Sequence, residues 1–132
     1  MFKGIAFLAS ISVVALATPS SLNAQTGYSD WIRYGTFDGV NIDYATRVDR
    51  DEIRVLWRCQ NFNGYAISCS IGAGENKKYV CQKGTTRVGE TGSLGERRTI
   101  EAQGEGTFPS DWACRGMAAT GVSPVVKVSI ER

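Results

Sequence analysis

The segment Phe108 to Arg115, FPSDWACR, gathers the side chains of this chain best suited to holding a ligand. Trp112 offers a flat apolar ring with one N–H donor, and Asp111 and Arg115 place an acceptor and a donor fork beside it. Such a group suits stacking on a sugar ring or anchoring a protein interface. Phe108 adds a second aromatic, and Cys114 pins the turn if it is oxidised. Trp112, Asp111, Arg115 and Phe108 are therefore the candidate ligand contacts. The competing expectation is that Trp112 and Phe108 close one end of the core, because buried aromatics dominate small cores. Trp31 and Tyr34 pose the same choice, and Arg54 and Arg58, beside Leu56, suit either an acidic partner or an ordinary solvated sheet face.

Other chemistries meet obstacles. The chain contains no histidine, which excludes Ser-His-Asp and Cys-His nucleophiles and any histidine acid or metal ligand. Glycoside hydrolysis needs only two carboxylates, which Asp43, Asp49, Asp51, Glu52 or Asp111 can supply. Yet 13 scattered acids set against 15 basic side chains describe a solvated surface, so the expectation is a protein that is not an enzyme. Asp49, Asp51 and Glu52 resemble a calcium cluster in type, but the ligand series and glycine of an EF-hand are missing, and Arg47 and Arg50 stand ready as ion-pair partners. No metal and no cofactor is expected. Gly89, Gly92 and Gly95 in VGETGSLGERR lack the lysine and hydroxyl of a phosphate loop and read as a strand connector. The near balance of charge gives no reason to expect nucleic acid as a partner.

The elements that must position these residues begin after a leader. Lys3, the apolar run Ile5 to Ala17 and the small residue Ala24 predict a signal peptide over 1–24, with a mature single domain over 25–132. The apolar run is short for a bilayer, and no second one follows, so no membrane span is expected in the mature chain. Cys59, Cys69, Cys81 and Cys114 all fall in the mature part. An even count behind a leader predicts two disulfides and a secreted or periplasmic location. Pairing Cys59 with Cys69 and Cys81 with Cys114 is preferred, with chain-entropy contributions of about 3 and 4 kcal/mol. Cys59 with Cys114 and Cys69 with Cys81 is the alternative.

The cysteines sit on alternating runs. In Glu52 to Gly72 the rows Ile53, Val55, Trp57, Cys59 and Tyr65, Ile67, Cys69, Ile71 each share a face. A three-residue loop, Phe62-Asn63-Gly64, with Gly64 in the left-handed region, would close them into a hairpin. That loop sets Cys59 opposite Ile67, a poor geometry for the preferred disulfide, whereas a five-residue loop, Phe62 to Ala66, would bring the cysteines face to face. Further strands are expected over Trp31 to Phe37, Val40 to Ala45, Lys78 to Gln82, Arg97 to Gln103 and Val126 to Glu131, with a charged connector at Asp49 to Glu52 and a surface run at Lys83 to Glu96.

Seven or eight short strands separated by turn signals predict an all-β fold, a single antiparallel β-sandwich, immunoglobulin-like in architecture. Trp57, Cys59, Ile67, Cys69, Val126 and Val128 are the expected core. The expected function is a non-enzymatic binding module that takes a glycan or an extracellular protein through an end loop or an outer sheet face. The alternatives are an inhibitor of an extracellular enzyme acting through Lys83 to Glu96, a carboxylate-dependent polysaccharide enzyme, and a structural subunit pairing through the edge Val125 to Glu131.

Overall fold

The computed structural model describes residues 27–72, 77–92 and 95–132. The leader expected over 1–24 and two residues, 93 and 94, of the surface run expected over Lys83 to Glu96 lie outside the described residues. Trp31 to Arg132 forms one compact unit. Among the described residues the protein is all-β, with eleven strands in three antiparallel sheets, two disulfides and no helix long and apolar enough to cross a membrane.

The first sheet is built on β1 (Ile32–Phe37), β2 (Val40–Asp49) and β3 (Glu52–Asn61). Asp38 and Gly39 join β1 to β2 with φ of 49° and 78°, a two-residue turn whose left-handed residues match the twist of the flanking strands. Arg50, at φ 61°, turns the chain again, and β2 and β3 then pair without interruption from Asp49 opposite Glu52 to Val40 opposite Asn61. The charged stretch Asp49 to Glu52 is thus the tip of a long hairpin rather than a connector. Its polarity hides it, because a solvated turn carries no apolar signal. The free edge of β3 receives two short strands end to end: β8 (Glu105–Thr107) beside Arg58 to Gln60, and β9 (Asp111–Ala113) beside Ile53 to Val55. An added Cβ on Gly106 would lie 2.6 Å from Ile100 Cδ1, so a larger residue there would have to displace the Ile100 side chain, and glycine lets β8 lie close to the core.

The second sheet has the order β10-β5-β6, from Gly121–Val126, Lys77–Lys83 and Thr86–Gly92. The third has the order β11-β4-β7, from Val128–Glu131, Ile67–Ile71 and Glu96–Ile100. The expected final strand is thus broken at Lys127 and shared between two sheets. Tyr34 holds the break: its hydroxyl donates to Val126 O at 2.8 Å and accepts from Val126 N–H at 2.9 Å. Eleven strands in place of seven or eight arise from segments that show no alternation. β8 and β9 are three residues each, and β6 is exposed along most of its length, so the surface run expected over Lys83 to Glu96 contains a paired strand.

The expected central hairpin does not form. The inward rows are as the alternation predicts except at Tyr65, which lies before β4 and is exposed, but β3 pairs with β2, β8 and β9, while β4 pairs with β11 and β7. The chain between them, Phe62 to Ala66, is an arch from the first sheet to the third. Asn61 is the reason. Its buried side-chain amide donates to Tyr65 O at 2.8 Å and Glu101 O at 3.0 Å, and its carbonyl accepts from Asn63 N–H at 3.0 Å. These bonds satisfy backbone groups of the arch and of Glu101 beside it. Gly64 is not among the left-handed glycines.

Cys59 is bonded to Cys69 and Cys81 to Cys114. The first bond crosses from the first sheet to the third, and the second ties β5 to the residue after β9. Trp57, Cys59, Ile67, Cys69 and Val126 are buried in one apolar cluster, with Val128 packed partly against it. Two oxidised cysteine pairs are consistent with an extracellular or other oxidising compartment.

Candidate functional site

The register of β9 decides where the candidate residues point. Trp112 pairs with Arg54, whereas Asp111 and Ala113 pair with Val55 and Ile53. Because Val55 and Ile53 face the core, Trp112 must emerge on the outer face of the first sheet, in the same row as Arg54. It is 43% exposed. The Arg54 guanidinium lies 3.8 Å from the ring centroid and that of Arg115 lies 4.6 Å from it. Both distances are within the range of cation–π attraction, worth about 0.5–1 kcal/mol each at an exposed site.

The segment that presents Trp112 is held from several sides. Cys114 is disulfide-bonded to Cys81 and takes a φ of 60°, a conformation that costs a non-glycine residue on the order of 1 kcal/mol and persists only where its surroundings enforce it. Gly116 N–H donates to Asp51 O at 2.7 Å, tying the following turn to the β2–β3 hairpin tip, and Cys114 N–H donates to Thr91 Oγ1 at 3.3 Å. Thr91, Trp112, Ala113, Cys114 and Arg115 line an open concavity of about 420 Å³.

The charges around Trp112 form a ladder. Arg115 Nε lies 3.1 Å from Glu52 Oε1, Arg54 Nε lies 3.8 Å from Glu52 Oε2 and 3.7 Å from Asp49 Oδ2, and Arg47 Nη2 lies 3.6 Å from Asp49 Oδ2. The acids considered for calcium therefore sit among arginines. Arg54 Nε is buried and lacks a hydrogen-bond acceptor, so its carboxylate neighbours attract it without closing a bond. Further along the same face Asp43, 1% exposed, receives Arg58 Nη2 at 2.7 Å and Arg33 Nε. Arg58 also covers the Trp31 ring at 4.4 Å. Among the described residues the outer face of this sheet thus carries five arginines against four carboxylates, Glu105 opposite Gln60 being the fourth, with a tryptophan at each of two positions.

The structure separates the four predicted contacts. Trp112 and Arg115 come together at the surface. Phe108 is 2% exposed and belongs to the core, so its side chain is closed to any ligand. This is the core-capping alternative realised for Phe108 and not for Trp112. Asp111 turns inward: Tyr79 Oη donates to its Oδ2 at 2.8 Å, and Trp57 Nε1 donates to Tyr79 Oη at 2.9 Å. The carboxylate thereby completes a chain that satisfies the buried indole N–H. Arg54, considered from sequence only as an outer-face arginine, joins Trp112 and Arg115 at the site, a placement local sequence could not give because only the pairing of two strands more than fifty residues apart sets it against Trp112.

Comparison of the chain with protein-family models, with curated proteins and with solved structures finds no match in any of the three.

Proposed function

We propose that this protein is an exported, non-enzymatic binding module, a β-sandwich immunoglobulin-like in architecture, that recognises an acidic segment of a protein partner through Trp112, Arg54 and Arg115. The observation that carries this reading is the exposed Trp112 with two guanidinium groups against its ring, on a strained corner fixed by a disulfide. Trp and Arg are the residues that most often dominate interface energies, and a corner ordered before binding loses little freedom on association. A ring flanked by two guanidinium groups is a good support for N–H forks aimed at carboxylates. Inhibition through Lys83 to Glu96 loses its motive, because β6 is a paired strand. The sandwich architecture is supported by the apolar cluster shared among the three sheets and by Trp57 beside the inter-sheet bond Cys59–Cys69. Export is supported by the cysteine pairs and by the leader-like composition of residues 1–24.

The test is an array of acidic, neutral and basic twelve-residue peptides, with polygalacturonate and heparin as anionic glycans. The purified oxidised protein should bind acidic peptides, more weakly at higher salt. Trp112→Ala should weaken that binding about 30-fold, as expected of an interface hot spot. Equal binding of acidic and basic peptides would sink the reading. A glycan signal lost in Trp112→Ala, with acidic peptides silent, would reassign the site to an anionic polysaccharide.

A further inference from the structure

The other end of β3, about 30 Å from its Glu52 end at the usual rise per residue, carries a second concavity unrelated to Trp112. It encloses about 360 Å³ and is lined by Asp38, Asn63, Tyr65, Ile67, Ile130 and Arg132. The arch Phe62 to Ala66 forms one wall. Its backbone is pinned: Phe62 N–H donates to Gly39 O at 3.0 Å, Gln103 N–H donates to Asn63 O at 3.1 Å, and Gln103 Nε2 donates to Phe62 O at 2.9 Å. Asn63 Nδ2 fixes the facing turn by donating to Asp38 O at 2.9 Å, and it donates also to Asn61 Oδ1 at 3.0 Å. On this rigid support two aromatic side chains are left in solvent, Phe62 at 58% and Tyr65 at 39% exposed. A loop so fully hydrogen-bonded has no need of exposed rings for its own stability.

The charged groups at the cavity are equally unusual. Arg132 lies over the Tyr65 ring at 3.8 Å, and Asp38 lines the same cavity, yet among the described residues neither forms an ion pair. The wall therefore offers one carboxylate acceptor, one guanidinium donor, the Asn63 side-chain oxygen and an aromatic ring, with apolar closure from Ile67 and Ile130.

We propose that this cavity is a subsite for a neutral pyranose ring. Each hydroxyl of such a ring both donates and accepts, so it can give a proton to Asp38 or Asn63 Oδ1 and accept from Arg132. The C–H face of the ring packs on the exposed part of Tyr65, as apolar surface packs on aromatics elsewhere. The balanced charge of the wall favours an uncharged ligand, and the volume, at the low end for small-molecule sites, suits a single ring. This inference stands apart from the Trp112 reading and survives its failure.

Saturation-transfer NMR on the full oxidised chain, with the methyl α- and β-pyranosides of glucose, galactose, mannose and N-acetylglucosamine at millimolar concentration, tests it. At least one pyranoside should receive transfer, strongest at its ring C–H protons. Tyr65→Ala should weaken that ligand about tenfold, through loss of the aromatic contact. Asp38→Asn, chosen because asparagine tolerates the left-handed backbone at φ 49°, should weaken it by a similar factor while keeping the turn. Transfer to none of the pyranosides, transfer unchanged in both variants, or transfer to free amino acids alone overturns the proposal.

Discussion

Tyr44 lies on the inward row of β2, 5.4 Å from Trp57 and 6.5 Å from Tyr34 between ring centroids. Burial raises the pKa of its hydroxyl above 10.0, and the neighbouring Tyr34 raises it further. The folded protein thus holds the Tyr44 proton at a pH where the unfolded chain releases it. The contribution to stability is full below about pH 10 and falls as pH rises through the folded value, because there the unfolded state binds fewer protons. Denaturant midpoints should therefore decline above pH 10 in the wild type. Tyr44→Phe should decline less steeply, and an identical alkaline slope in the two proteins would refute the assignment. Asp43 makes a contrasting residue-scale point. Taken as a glycosidase candidate from its type alone, it is instead buried beneath Arg33 and Arg58, where removing water from a carboxylate is offset by two charge-assisted partners.

At the scale of elements, Asn61 decides between hairpin and arch. Its side chain reaches Tyr65 O and Glu101 O and takes the Asn63 N–H, so Asn61→Ala leaves buried backbone groups unpaired. The expected cost is about 2–3 kcal/mol, read as a lower denaturant midpoint with an unchanged m-value. Asn61→Ala at wild-type stability would show that water or the ladder itself supports the arch. The same residue marks what the sequence could convey. Alternation in Glu52 to Gln60 and Ile67 to Ile71 assigned the inward side chains there correctly, because period two is a local property of a half-buried strand, whereas the buried Asn61 stood outside the apolar row. Partner choice is not local: a hairpin and an arch bury the same rows, and the hydrogen bonds that separate them join Asn61 to Glu101, forty residues away. Phe108 and Trp112 illustrate the same limit at the site. Both are aromatic and four residues apart, yet one faces the core and the other solvent, because β9 joins β3 in the register that sets Trp112 against Arg54. The short strand carrying Trp112 has no periodicity from which to read that register.

Across the whole molecule, the two disulfides differ in what they constrain. Cys59–Cys69 closes ten residues and Cys81–Cys114 closes 33, so the chain-entropy model assigns them about 3 and 4 kcal/mol respectively. Each joins elements of different sheets, but only the second adjoins the recognition corner. Replacing Cys81 and Cys114 together by alanine should lower stability more than replacing Cys59 and Cys69. It should also release Cys114 from the conformation that sets Trp112 and Arg115 beside Arg54. Measured where both variants remain folded, acidic-peptide binding should fall about tenfold or more without Cys81–Cys114 and stay near wild type without Cys59–Cys69, since a loosened corner must be ordered again on binding. Equal loss in the two variants would mean that the disulfides act on global stability alone. Unchanged binding in both would mean that the pairing of β9 with β3 holds Trp112 in place without covalent help.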